Sequence, residues 1–104
     1  MKNALGVSAA ILLGCLASAG ALAGDAAAGK AKAAACAGCH GMTGVSVNPL
    51  WPNLAGQHEQ YLVKQMQAFK SGTRAEPTMA AMMAALTEQD MADVAAYFST
   101  QTCK

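Results

Sequence analysis

Cys36, Cys39 and His40 lie together in "ACAGCHG", residues 35–41. Two thiols and an imidazole at this spacing can do one of three things: hold a structural zinc, cycle as a redox dithiol, or attach haem covalently. Structural zinc requires four protein ligands, usually in two separated pairs. Beyond this cluster the chain offers Cys15, Cys103 and His58, and Cys15 sits in a segment expected to be removed, so no second pair forms. A dithiol motif normally opens a helix after a strand, where the helix N-terminus lowers the first thiol's pKa. Here the pair closes an Ala-rich helical stretch in a chain without strand signals. Covalent haem accounts for every residue. Cysteines at i and i+3 share one side of a helical turn and can form thioethers with two vinyl groups on one porphyrin edge, and His40 follows as the proximal iron ligand.

The sixth iron position separates carrier from enzyme. An open position permits O2, peroxide or gas chemistry, whereas a thioether closes it and raises the reduction potential. Met42 is too close to His40 to cross the haem plane, and Met66 and Met91 fall on apolar helix faces, where core packing is the ordinary role. "EPTMAAMM" remains, with Met79 two residues after Pro77 on a turn that can present a side chain. Met82 and Met83 line the pocket or begin the next helical stretch. A copper site in this Met-rich segment lacks the clustered His partners it would need.

Three helical patterns must position these groups. "DAAAGKAKAAACAGCH" predicts a helix from about Asp25 to Cys39 that stops near Gly41, with Asp25 suited to its N-terminus. "GMTGVSVNPLWPNLAG" is a long loop wrapped around something. "QHEQYLVKQMQAFKSG" predicts an amphipathic helix with Leu62, Met66 and Phe69 on one face and Gly72 at its end, after which Pro77 interrupts the pattern. "TEQDMADVAAYFSTQ" opens on a capping box, Thr87 with Asp90, and buries Met91, Val94, Ala95 and Phe98, with Tyr97 beside them. The domain expected is all-α, of three main helices with long loops.

The first residues, "MKNALGVSAAILLGCLASAGALAG", carry a basic start, an apolar run and the small-residue triad Ala21-Leu22-Ala23, the pattern of a cleaved signal peptide over 1–23. "LLGC" offers an alternative, lipidation at Cys15, but the chain stays apolar beyond it and reaches the better site. Residues 24–104 then form one domain in an exported, oxidising compartment. Cleavage removes Lys2 and leaves six basic against six acidic residues, a balance that points to no nucleic-acid surface and no polybasic membrane patch. Trp51, Tyr61, Phe69, Tyr97 and Phe98 are the only aromatic side chains, and so small and Ala-rich a core needs a staple such as a large apolar cofactor.

Together, "GDAAAGKAKAAACAGCHG", "WPNLAGQHEQYLVKQMQAFKSGTR", "PTM" and "LTEQDMADVAAYFSTQ" resemble the bacterial class I cytochromes c, the short mono-haem c553 kind and the half-domains of cytochrome c4. The resemblance spans nearly all of the chain after the leader. It implies a cytochrome c-like fold around one covalently bound haem c, with Cys36 and Cys39 as thioethers and His40 and Met79 as axial ligands. Met79 lies eight residues before the Thr87 cap, where the family places its distal ligand. The family's proline whose carbonyl accepts the proximal His N–H corresponds to Pro52, and its close crossing of first and last helices to Gly29 against Tyr97. Trp51, Tyr61 and Arg74 can hydrogen-bond the haem propionates, or serve as a loop plug, a helix-face aromatic and a solvated charge. His58 is expected on the surface, without a ligand role.

The function implied is a periplasmic single-electron carrier, not an enzyme, between redox partners of a respiratory chain such as cytochromes, oxidases or dehydrogenases. Two rivals are a subunit tethered to one oxidase or dehydrogenase, and a haem protein whose labile distal ligand admits peroxide or gas. After cleavage no stable membrane insertion is expected. Cys103 departs from the family pattern: the domain is expected to be monomeric, with a Cys103-linked dimer as the alternative to an inert tail thiol.

Overall fold

The computed structural model describes Gly6 and residues 22–103. The expected leader, with Cys15 and the first residue of the cleavage triad, otherwise lies outside the described residues. Asp25 caps the first helix, its carboxylate accepting from the amides of Ala27 (2.9 Å) and Ala28 (3.2 Å). Helix α1 (Ala26–Lys32) tightens into a 3-10 turn (Ala33–Cys36) and continues as α2 (Ala37–His40), ending at Gly41. The helical stretch read from the sequence is thus present, runs one residue further, and carries a tightened turn immediately before the first motif cysteine.

A loop occupies residues 41–58 and is drawn together at its neck. The Gly44 carbonyl accepts from the amides of Leu54 (2.7 Å) and Ala55 (3.1 Å). Gly44 has φ +82°, and a Cβ there would come within 2.7 Å of the Ala55 nitrogen and 2.8 Å of the Phe98 ring, so only glycine fits. Within the loop the Ser46 amide donates to Asn53 Oδ1 (2.7 Å) and the Leu50 amide to Asn48 Oδ1 (2.8 Å). At its far end the Gly56 amide donates to the Phe98 carbonyl (3.0 Å), pinning it to the last helix.

Helix α3 (Glu59–Ser71) buries Leu62, Met66 and Phe69, the face read from the sequence, and ends at Gly72 in the left-handed conformation. Where the sequence suggested a turn after Pro77 there is a short helix, α4 (Pro77–Met83). The proline starts this helix instead of barring it. At N1 its missing N–H has no intrahelical partner to lose, and the Glu76 carboxylate caps the Thr78 amide at 3.2 Å. Helix α5 (Glu88–Ser99) opens on the complete Thr87–Asp90 capping box and buries Met91 to Phe98 without interruption.

The core joins the 3-10 turn, α3, α4 and α5, with Leu54 of the loop packed against it. Phe98, Met91 and Ala95 are its most deeply buried members, against Leu62, Met66, Phe69, Met83 and Val94. Helices α1 and α5 cross at Gly29, where a Cβ would lie 1.9 Å from the Asp93 carbonyl oxygen and 3.0 Å from Tyr97 Cβ. Among the described residues there is no strand, and no helix is long and apolar enough to cross a membrane.

Candidate functional site

Cys36 closes the 3-10 turn, and Cys39 and His40 form the end of α2. Cys36 is half-buried against the core and Cys39 is exposed, both as free thiols. Burial, and secondarily the neighbouring Cys39, pushes the Cys36 thiol above its ordinary pKa. His40 is 7% exposed, so the helix end delivers an imidazole almost wholly inside the protein. Its Nδ1 lies 2.8 Å from the Pro52 carbonyl oxygen. A carbonyl can only accept, so Nδ1 carries the proton and Nε2 keeps its lone pair for a metal.

The loop is held over this end of the helix by a further bond: the Tyr97 hydroxyl on α5 donates to the Met42 carbonyl at 2.8 Å. Met79, in the first turn of α4, is half-buried and packs on the same core cluster as Cys36. Two thiols on one turn, an imidazole nitrogen with its proton committed elsewhere, and a thioether against the same core suit a covalently held haem. Among the described residues no group of three or more His, Cys, Asp or Glu side chains is placed to hold a metal ion, which leaves the zinc reading without ligands.

The remaining candidates divide. Met83 is buried and Met82 is partly exposed one turn beyond Met79. Trp51 and Tyr61 are about half exposed. The Arg74 guanidinium donates to Gln65 Oε1 at 2.7 Å and lies 4.5 Å over the Phe69 ring, which packs it on α3. His58 is the exposed cap residue of α3. Cys103 is exposed beside the Gly56 turn.

Sequence reasoning missed one polar cluster. Asp93, buried in α5, accepts from Lys32 Nζ (2.6 Å), the Asp25 amide (2.9 Å) and Gln89 Nε2 (2.8 Å). Lys32 also pairs with Asp90 at 2.8 Å. The Lys32 ammonium, followed by the Asp25 amide and Gln89, holds the Asp93 carboxyl down at about 2. The only sequence signal was an acid interrupting an otherwise apolar helix, and nothing in the chain announces its partner sixty-one positions away.

A family model described as Cytochrome c matches residues 26–102. A cytochrome c4 of Pseudomonas aeruginosa is 54% identical over 79 residues, covering 76% of this chain and 39% of that protein. Cytochrome c-554(548) of Halomonas halodenitrificans is 43% identical over 82 residues, covering 76% of this chain and 99% of that protein. Among solved structures, reduced recombinant cytochrome c4 from Pseudomonas stutzeri superposes with a TM-score of 0.74 at 46% identity, over 77% of this chain and 47% of the other. The chain therefore spans about two-fifths of the length of the cytochrome c4 relative from Pseudomonas aeruginosa, and nearly the whole of the shorter one.

Proposed function

Since the chain belongs to the cytochrome c family and its cofactor is haem c, we propose that it is a periplasmic mono-haem electron carrier in which Cys36 and Cys39 form the thioethers and His40 and Met79 are the axial ligands. Residues 1–23 are its cleaved leader and 24–104 the working domain. Single electrons pass between redox proteins of a respiratory chain, with no substrate chemistry of its own.

One observation carries this reading: the 2.8 Å bond between His40 Nδ1 and the Pro52 carbonyl. It commits the imidazole proton, orients the ring and makes Nε2 the better electron donor, which is what a permanent axial ligand requires. When bound, haem c supplies one-electron iron chemistry. The chain's part is to hold both axial donors and to keep water from the iron. Met79 is presented from a capped helix with Met83 packed into the core one turn on, so Met79 would supply a thioether donor to the haem. A closed pair of axial donors leaves little to rearrange between oxidation states, as a carrier requires.

The ferric optical spectrum tests the ligand assignment. The unmutated protein shows the far-red sulfur-to-iron charge-transfer band. Met79→Ala loses it, lowers the potential and lets the ferrous form bind carbon monoxide, while Met82→Ala keeps it. An unmutated protein that lacks the band and binds carbon monoxide freely would be no carrier of this kind.

A further inference from the structure

The residues ahead of α1 run as a strap along α5. The Ala23 carbonyl accepts from Gln89 Nε2 (3.0 Å), and the Asp25 amide donates to Asp93 Oδ1 (2.9 Å). Between them Gly24 is pressed onto the helix: a Cβ there would sit 2.2 Å from the Ala92 carbonyl oxygen and 2.8 Å from Ala96 Cβ. The carbonyl is backbone and cannot turn aside, so any side chain at 24 would lift the strap. Beneath it one cation serves two acids, Lys32 Nζ pairing with Asp93 at 2.6 Å and with Asp90 at 2.8 Å. The other charged groups nearby do not correct that imbalance. Asp25 begins α1, with Lys30 on its exposed side, and Glu88 begins α5. Across the groove that Leu22 and Ala92 line, α3 offers Glu59 against Lys64.

We propose that removal of the leader turns the Gly24 nitrogen into the second cation of this cluster, so that maturation itself fastens the N-terminus to α5. The inference rests on the cleavage after Ala23 proposed above. Hydrolysis adds one water across the 23–24 peptide bond: the leader departs with a new carboxylate, and the domain keeps the amine, which takes up a proton. Gln89 loses the Ala23 carbonyl and retains Asp93 at 2.8 Å. The new amine is one residue from the Asp25 amide, and therefore within about 6.5 Å of Asp93 Oδ1. At that range a carboxylate favours the charged form of an amine. An amine held charged by the fold stabilises it below about pH 8, the ordinary α-amine value, and that stability is lost as pH rises through the higher folded value.

The exported holoprotein, weighed intact, begins at Gly24. Acetic anhydride at about pH 7.5, followed by mass spectrometry of the N-terminal peptide, then reads how firmly the amine holds its proton. The Gly24 amine is labelled about threefold or more slowly than the terminal amine of a holoprotein lengthened by Leu22 and Ala23, which keeps every side chain of the cluster. Asp93→Asn raises the Gly24 rate to that of the lengthened chain. At about pH 10.5, where every α-amine is neutral, the rates agree. The mature chain also has the higher denaturation midpoint at about pH 6, and the gap closes at about pH 10.5. Equal labelling at the lower pH overturns the ion pair. So does a slow rate that persists at the higher pH, because shielding and not charge then protects the amine. A first residue other than Gly24 overturns the cleavage position instead, which keeps the two failures distinguishable. The far-red band, which reads the haem ligands, is the same in all three proteins.

Discussion

Met79 and Met83 stand one helical turn apart and have separable roles. Met83 is 2% exposed and belongs to the core, whereas Met79 is only half-buried against it. Truncating Met83 should therefore leave the far-red band intact while lowering stability by about 2–5 kcal/mol, the usual cost of a buried Met→Ala change. Chemical denaturation followed at the haem absorption, together with the ferric spectrum, reads both quantities from one preparation. Tyr97 makes a similar distinction for the loop. Tyr97→Phe keeps the ring in the core but removes the donor to the Met42 carbonyl. It should cost about 1 kcal/mol with the band unmoved, since the bond positions the loop and touches neither His40 nor Met79, the ligands proposed above.

At the scale of elements, the contact between α1 and α5 depends on the absence of one side chain. A Cβ at Gly29 would overlap the Asp93 carbonyl, which is backbone and cannot rotate away, so Gly29→Ala should destabilise by about 3 kcal/mol through forced separation of the helices. Thr87→Ala, which removes half of a capping box, should cost about 1 kcal/mol in the same denaturation assay. Both positions were legible in the chain, Thr87 from its spacing to Asp90 and Gly29 from family resemblance. The helices at 59–71 and 88–99 were legible because their apolar residues recur with helical period. Helix α4 was not, because Pro77 reads equally as a stop or as a first residue, and only the Glu76 cap decides between them. The cysteines and His40 declared themselves by spacing. The Asp93–Lys32 pair could not, since a contact between the first and last helices leaves no local pattern.

For the whole molecule that pair sets the response to pH. The Asp93 carboxyl titrates at about 2 in the folded protein against an ordinary 3.8, so the stability it contributes is intact above about pH 4 and is lost as pH falls towards 2. Lys32, raised above its ordinary 10.5 chiefly by Asp90 and then Asp93, contributes stability that is present below that value and lost as pH climbs through its higher folded pKa. Asp93→Asn should accordingly be less stable than the unmutated protein at pH 7, with the difference shrinking as pH falls from 4 to 2 in a series of denaturation midpoints. The ion pairs thus fasten the two helices at one side of the core, and the loop over His40 is fastened separately at its own neck. Because Gly44 receives both Leu54 and Ala55 at that neck, and Pro52 meets His40 just inside it, the stretch from 47 to 51 hangs between these anchors and turns on Asn48, which accepts from the Leu50 and Trp51 amides. Val47 and Leu50, exposed on this turn, are therefore the positions free to drift. A lineage could exchange those two side chains and leave the carbonyl that steadies His40 where it is.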